Sequence, residues 1–213
     1  MNKFEQPIMV IHREILFRTS YFQGYMPAYQ QDFYPIILER YEYRKRGPVE
    51  EQPEYKQPIA YAMIVHKKTH KVFAYQRSTK EGEYSEARLA GKWSWGIGGH
   101  VDKVDSAGYD PIRASLMREL QEEVHMSTYD RPQIIGYIND DETAVGSVHF
   151  GLLFVVYTDD DDVKPNDKEI AWGGFKSVSE LKEILLSPDT SVETWSEIGL
   201  TPLEQFIKNS EKD

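Results

Sequence analysis

Residues 118–123 read Arg-Glu-Leu-Gln-Glu-Glu and place three acids on one predicted helix. Glu119, Glu122 and Glu123 stand at spacings of three and four, so their carboxylates share one helical face and repel one another. Their position near the predicted end of the helix adds an unfavourable interaction with the helix dipole. Local rules are broken in this way mainly at functional sites, and clustered carboxylate oxygens suit a hard cation such as Mg²⁺. A solvated acidic face is the alternative.

The composition predicts a folded chain without disulfides. Its 213 residues are 40% hydrophobic and 13% aromatic, which is enough for one sizeable core. The absence of cysteine excludes thiolate metal sites and cysteine nucleophiles, and it fits a cytoplasmic location. No apolar run has the length of a membrane span and no signal-peptide pattern is present, so no membrane partner is expected. A net charge of −10 disfavours bulk nucleic acid as a partner, but not a small anionic substrate.

The chain is predicted to have an N-terminal extension, residues 1–57, that packs on a main domain, residues 58–213. Residues 46–58 are rich in Pro, Glu and Gln and indicate a linker or a long loop. Within the extension, residues 8–11 predict a strand and residues 35–43 a helix. Seven aromatic rings of the extension are expected to pack against the main domain or a second subunit, with a ligand platform as the alternative: Phe17, Tyr21, Phe22, Tyr25, Tyr29, Phe33 and Tyr34.

Strands and helices alternate along the main domain. Helices are predicted from the Asp110-Pro111 N-cap to about residue 124, from the capping box at Ser177 to about residue 186, and from the capping box at Thr201 to about residue 209. This order predicts an α/β (α+β) fold with a mixed central sheet and helices on its faces. Apolar or alternating runs predict strands at residues 59–66, 72–77, 93–97, 133–138, 148–158 and 169–175.

The residues upstream of the acidic helix extend it into a longer motif. Gly98-Gly99-His100 follows the strand predicted at residues 93–97, and a loop then leads to the helix. Together these residues resemble the Nudix box, G-x5-E-x7-R-E-U-x-E-E-x-G-U, where U is a bulky aliphatic residue. The chain departs from the pattern in three places: ten residues rather than five precede Asp110, Asp110 replaces the first Glu, and His125 replaces a Gly at a position expected to need a left-handed backbone. The matching positions are Gly99, Arg118, Glu119, Leu120, Glu122, Glu123 and Met126.

The resemblance implies a Nudix-like α/β/α sandwich and a MutT-like pyrophosphohydrolase. Such an enzyme would hydrolyse a pyrophosphate bond in a nucleoside diphosphate linked to another moiety, with Mg²⁺ or Mn²⁺ as cofactor. By the same resemblance, Glu119, Glu122 and Glu123 would ligate the metal, together with the carbonyl of Gly98. Arg118 would be a further catalytic residue and would brace the loop through an ion pair with Asp110.

Further site residues are predicted outside the box. Glu169 and then Glu142 are candidates for an additional ligand or general base, and for each an ordinary surface acid is the alternative. Arg77 could hold a phosphate or form a structural ion pair, and Trp95 could stack on a base or pack in the core. His100, beside the glycine pair, is a candidate substrate-binding residue.

Other interpretations remain open from the sequence. A non-catalytic Nudix-fold regulator that senses nucleotides is one, although such proteins often lose the box carboxylates. Isopentenyl diphosphate isomerases share the fold and the Gly-Gly-His sequence, but they need a cysteine that this chain lacks. His149, within the most apolar strand, is expected to be a core residue, and residues 159–162 a solvated acidic loop. The loops at residues 78–92 and 139–146 are expected to set specificity, and a homodimer stays open.

Overall fold

The computed structural model describes residues 2–79, 90–166 and 170–210. By their internal contacts these residues form two compact units. Unit 1 comprises Met1–Tyr61, Gly98–Arg118 and Ile134–Leu153, and unit 2 comprises Ala62–Ile97, Glu119–Gln133 and Phe154–Asp213. The predicted domain boundary between residues 57 and 58 stays a prediction, and one continuous strand, Tyr55–His66, runs across it.

The first half of the chain consists of short elements and one long strand of twelve residues, β4. A 3-10 helix, Lys3–Glu5, opens the described chain. The elements that follow are β1 (Pro7–His12), α1 (Arg13–Leu16), β2 (Gly24–Pro27), α2 (Tyr34–Arg40), β3 (Glu42–Lys45), α3 (Arg46–Val49), β4 (Tyr55–His66), β5 (Val72–Arg77), β6 (Trp93–Ser94) and β7 (Ile97–His100).

The second half contains the longer helices. A 3-10 helix, Lys103–Ala107, lies in the loop after β7. The elements that follow are α4 (Pro111–Glu123), β8 (Val124–His125), β9 (Gln133–Asn139), β10 (His149–Thr158), β11 (Lys164–Pro165), β12 (Ile170–Lys176), α5 (Val178–Leu186) and α6 (Thr194–Ser210). Strand β10 is buried along nearly its whole length, as its almost unbroken apolar sequence predicts.

In unit 1, the N-terminal segment adds strands to the sheet. Strand β1 pairs antiparallel with β3, where Pro7 lies opposite Lys45, and with β4, where Ile11 lies opposite Lys56. Strand β2 pairs antiparallel with β9. The four central residues of β1 are buried, which explains why this short apolar run forms a strand.

In unit 2, β12 pairs antiparallel with β5, so that Lys176 lies opposite Val72. Strand β5 also pairs with β6, and the two-residue strands β8 and β11 pair with each other. Within the described residues the protein is therefore an α+β structure with a mixed sheet and helices, which confirms the predicted fold class. No helix in this part of the chain is both long and apolar enough to cross a membrane.

Aromatic rings join the N-terminal segment to β10 within unit 1. The rings of Phe17, Phe22 and Phe33 lie 5.8, 6.0 and 5.4 Å from the ring of Phe150. Tyr137 of β9 stacks on the same ring at 5.8 Å. Edge-to-face and offset contacts of this kind add to the stability gained from burial alone. Phe22, Phe33, Tyr137 and Phe150 are therefore core residues of unit 1, and Phe17 is partly buried beside them.

Two predicted helices have different bounds in the structure. The helix predicted at residues 35–43 ends at Arg40, because the next residues form β3 against β1. The helix predicted to begin at Thr201 begins instead at Thr194, and Pro202 lies inside it. Buried Leu200 and Leu203 belong to one apolar face of α6, and packing of that face outweighs the backbone hydrogen bond that a proline removes.

Candidate functional site

Helix α4 begins at the predicted cap. Asp110 precedes Pro111, and its Oδ1 accepts a hydrogen bond from the backbone N–H of Arg113 at 3.1 Å. The same carboxylate accepts a hydrogen bond of 2.8 Å from the hydroxyl of Tyr34. Burial of Tyr34 and its bond to Asp110 both raise the pKa of Tyr34, so its hydroxyl stays a donor at neutral pH. Asp110 thus fixes the start of the helix and ties it to α2.

The acidic face lies in the last two turns of α4. Leu116 and Leu120 are buried on the apolar stripe of the helix. Glu119 and Glu123 are half-buried and Glu122 is exposed. Because all three residues lie within α4, the 3.6-residue period puts them on one face of the helix. Their role as metal ligands stays a prediction.

In the structure, Arg118 forms an ion pair with Asp105, whereas Asp110 was the predicted partner. Arg118 donates from Nε to Oδ1 and from Nη2 to Oδ2 of Asp105, both at 3.0 Å. Its Nη2 also donates to the carbonyl of His100 at 3.0 Å. Asp105 follows Gly99 by six residues, the spacing of the box, and it is nearly fully buried. The box spacing counted back from Arg118 gives Asp110, whereas counted forward from Gly99 it gives Asp105, because the loop is longer than in the box. Two acids therefore share the two functions: Asp105 forms the ion pair and Asp110 caps the helix.

Gly98 lies where strand β7 passes very close to β4. A β-carbon built on Gly98 would lie 2.2 Å from the carbonyl oxygen of Ala60, a distance that no side chain tolerates. The glycine is therefore required by close backbone approach. Its carbonyl as a metal ligand stays a prediction.

His125, which follows α4, does not have the left-handed backbone that the box pattern predicts. His125 was expected to have a left-handed backbone, but it lies in the short strand β8, opposite Lys164. Among the described residues, His70 is the non-glycine residue with a positive φ. The backbone N–H of Asn166 donates to the carbonyl of Glu123 at 2.8 Å, so strand pairing ends the helix and an extended His125 is unstrained.

Two predicted substrate-binding residues, Arg77 and Trp95, are bonded to other residues of unit 2. Arg77 donates from Nε to Oε1 of Glu193 at 2.7 Å, and both side chains are largely buried. Trp95 is 1% exposed, and its indole N–H donates to the carbonyl of Ser196. For Arg77 this is the structural ion pair, and for Trp95 the core position, that the sequence left open as the alternative to substrate binding.

The two candidates for a further acid differ in what the structure describes. Glu142 is exposed in the loop after β9, and its backbone N–H donates to the carboxylate of Asp140. Glu169 lies outside the described residues. The acidic run at residues 159–162 lies within unit 2 and is bonded to other residues of that unit; for example, Asp160 accepts two hydrogen bonds from Ser127.

His100 belongs to a cluster in unit 1 that the sequence did not reveal. Its Nε2 lies 2.7 Å from Oε1 of Gln57 and 3.1 Å from Nε2 of His149. Burial lowers the pKa of His100 well below its usual value, with a contribution from His149, and burial lowers the pKa of His149 as well. Both rings are therefore neutral at pH 7. His149 is buried as predicted, but its ring takes part in this cluster, and Glu50 lies in it too.

The loop after β9 is anchored by a buried lysine. Lys56 has no exposed side-chain surface, and its Nζ donates to Oδ1 of Asp141 at 2.7 Å and to the carbonyl of Gly146 at 2.8 Å. Arg13 bonds both carboxylate oxygens of Asp141, and the hydroxyl of Tyr21 donates to it at 2.8 Å. One of the two predicted specificity loops is thus held by residues of the N-terminal segment.

Comparison with known proteins relates the chain to one curated protein of Bacillus subtilis. No protein-family model matches the chain. It is 34% identical over 216 residues to Protein YmaB of Bacillus subtilis (strain 168), and the match covers 96% of this chain and 100% of that protein. Identity at this level over the full length indicates common descent and a common fold.

Comparison with solved structures identifies the fold. The crystal structure of Tm1382, a candidate Nudix hydrolase, is similar over 94% of this chain and 100% of its own, with 24% identity and a TM-score of 0.74. The NUDIX domain of Shewanella oneidensis NrtR, crystallised with ADP ribose, covers 71% of this chain and 88% of its own at 11% identity, with a TM-score of 0.54. A NUDIX hydrolase from Alicyclobacillus acidocaldarius covers 72% of this chain and 96% of its own at 11% identity, with a TM-score of 0.57.

Proposed function

Because the chain belongs to the family of Protein YmaB and has the Nudix fold, we propose that it is a metal-dependent pyrophosphohydrolase. Its substrate would be a nucleoside diphosphate linked to another moiety. The observation that carries the proposal is the row of three carboxylates on α4, which follows an arginine held in place by a buried acid. A fold alone supports many activities, whereas these side chains point to one chemistry.

The donor set fits a hard divalent cation. Glu119, Glu122 and Glu123 offer only carboxylate oxygens, the ligands that Mg²⁺ and Mn²⁺ prefer. A helical face with three acids is electrostatically unfavourable alone, and a bound dication would offset the repulsion. From the family resemblance, the carbonyl of Gly98 is a further candidate ligand. When bound, such an ion neutralises charge on the leaving phosphate and lowers the pKa of a bound water.

The chain's own residues would position this chemistry. Arg118 holds the Asp105 carboxylate and the His100 carbonyl, and so it ties the loop between β7 and α4 to the helix. A fork of two parallel hydrogen bonds resists rotation better than a single one. Glu142, exposed in the loop after β9, and Glu169 are proposed as alternative general bases that would take a proton from the attacking water.

Substitution of one carboxylate tests the proposal. Glu122→Gln keeps the size of the side chain and removes its charge, and Gln121→Ala on the same turn is the matched control. We expect a loss of at least about 100-fold in turnover for the first variant, because removal of transition-state charge stabilisation costs about 3 kcal/mol or more. The control should stay near the parent value. Wild-type turnover in Glu122→Gln would refute the mechanism.

The substrate panel should cover the diphosphate classes that the sequence leaves open. Nucleotide sugars, ADP-ribose, dinucleoside polyphosphates and oxidised nucleotides would be tested with Mg²⁺ and with Mn²⁺, and phosphate release would be read after coupling to a phosphatase. A nucleotide-sensing regulator is the second candidate, since the NrtR domain with the same fold was crystallised with ADP ribose. Tight nucleotide binding without metal-stimulated hydrolysis of any compound would favour that candidate.

A further inference from the structure

Three side chains with metal-binding atoms converge in unit 1, and none of them is a Nudix-box carboxylate. Glu50 follows α3, His100 ends β7 and His149 begins β10. One ligand atom from each lies within 4.8 Å of the others. We propose that these residues bind a transition-metal dication, specifically Zn²⁺, at a second site with a structural role.

Hydrogen bonding fixes the orientation of His149 in the form that a metal ligand needs. Its Nδ1 lies 2.6 Å from the carbonyl oxygen of Val145. A carbonyl can only accept, so Nδ1 carries the proton and Nε2 of the neutral ring carries a lone pair. Metal-binding histidines are held in this way, with the second ring nitrogen donating to a carbonyl or carboxylate. The lone pair of Nε2 is directed towards His100, 3.1 Å away.

Gln57 supplies a further acceptor at the same point. Its amide nitrogen donates to the carbonyl of Val49 at 3.2 Å, which turns the amide oxygen towards His100. His100 Nε2 therefore faces an amide oxygen and an imidazole lone pair, with the Glu50 carboxylate near both. A single N–H proton on His100 Nε2 satisfies these three acceptors poorly, whereas a bound cation would satisfy all of them.

The distances and ligand types favour zinc. Two ligands of a tetrahedral ion with Zn–N bonds of about 2.0–2.1 Å lie about 3.3 Å apart. The observed separation of 3.1 Å between the two Nε2 atoms needs little adjustment to match it. Two imidazoles and one carboxylate suit zinc and similar transition metals, whereas magnesium prefers oxygen ligands alone.

The Glu50 carboxylate is already oriented by a neighbour. Arg46 donates from Nε to Oε1 of Glu50 at 2.9 Å, and both side chains are mostly buried. A carboxylate has two oxygens with two lone pairs each, so it can keep this ion pair and still contribute to a metal. The site would join α3, β7 and β10, which are far apart in sequence, and would stabilise unit 1 as a cross-link.

Metal binding by the purified full-length chain tests the proposal. After treatment with a chelator, the protein would be titrated with Zn²⁺ against a chromophoric competitor at pH 7.5, and bound zinc would be counted by elemental analysis. We expect one equivalent per chain, and affinity at least about tenfold weaker in Glu50→Gln and in His100→Gln. Zn²⁺ should also raise the melting temperature of the parent protein and not that of these variants.

Two controls separate this site from its surroundings. Glu51→Gln changes the exposed acid next to Glu50 and should bind zinc like the parent. Glu122→Gln should also keep the zinc site, because the α4 carboxylates do not form it. If His100→Gln fails to fold, the zinc affinity of Glu50→Gln decides the test. Glu50 lies at the end of α3, and the substitution keeps the size of its side chain. The absence of a zinc equivalent in the parent, or parental affinity in Glu50→Gln, would overturn the proposal and leave a hydrogen-bonded pair of imidazoles.

Discussion

The buried ion pair between Lys56 and Asp141 should contribute strongly to stability. The ammonium of Lys56 is fully buried, while the side chain of Asp141 is 18% exposed. The substitution Asp141→Asn keeps the shape of the side chain and removes the negative charge. It leaves the ammonium with neutral acceptors: the amide oxygen that replaces a carboxylate oxygen, and the carbonyls of Gly146 and His149 at 2.8 and 3.2 Å. Because an uncompensated buried charge costs about 3–5 kcal/mol and Asp141 is partly hydrated, we expect a loss of about 3 kcal/mol.

The pH dependence of this effect has a defined sign. Burial alone would raise the pKa of Asp141, but hydrogen bonds from Arg13, Lys56 and Tyr21 outweigh it and lower the pKa far below its usual value. A carboxyl with a lowered pKa in the folded state stabilises the protein above its unfolded pKa of about 3.9, and that contribution is lost as the pH falls. The difference between the parent and Asp141→Asn should therefore be constant at neutral pH and shrink below about pH 4.

Urea unfolding at pH 7 and at several acidic pH values measures both quantities. For a chain of this size, 3 kcal/mol corresponds to a fall in melting temperature of about 6–12 °C. The matched background is Lys56→Met, which removes the buried ammonium; there, Asp141→Asn should cost only about 1 kcal/mol, because Arg13 remains as a partly exposed partner. Equal losses in both backgrounds, or a loss below about 0.5 kcal/mol in the parent, would refute this account of the network.

Two further substitutions test the geometry around the Nudix box. Gly98→Ala should destabilise the protein by about 2 kcal/mol or more, since its new β-carbon would meet the carbonyl of Ala60 at 2.2 Å; unchanged urea unfolding would contradict this close approach. Arg118→Lys breaks the fork to Asp105, whose side chain is 4% exposed, and should cost about 2 kcal/mol. Arg113→Lys, at a partly exposed 3.6 Å ion pair, is its control and should cost less than about 0.5 kcal/mol, and equal melting temperatures for the two would argue against a special role for the fork.

Much of the fold could be predicted because its signals are local. The cap at Asp110 and the capping box at Ser177 place the starts of α4 and α5, and the apolar run of β10 reveals a buried strand. The start of α6 could not be found in this way. Thr201-Pro202 carries a strong start signal, yet the tertiary packing of Leu200 and its neighbours extends the helix seven residues earlier, to Thr194.

The sequence by itself determined the carboxylate face of α4, since the spacing of Glu119, Glu122 and Glu123 on any helix brings them together. Only the tertiary structure decided that Arg118 binds Asp105, and that His100 meets Gln57 and His149. These last partners are 43 and 49 residues away along the chain. The physical reason is that helical periodicity acts over a few residues, whereas contacts between strands depend on register and loop length, which the complete fold sets.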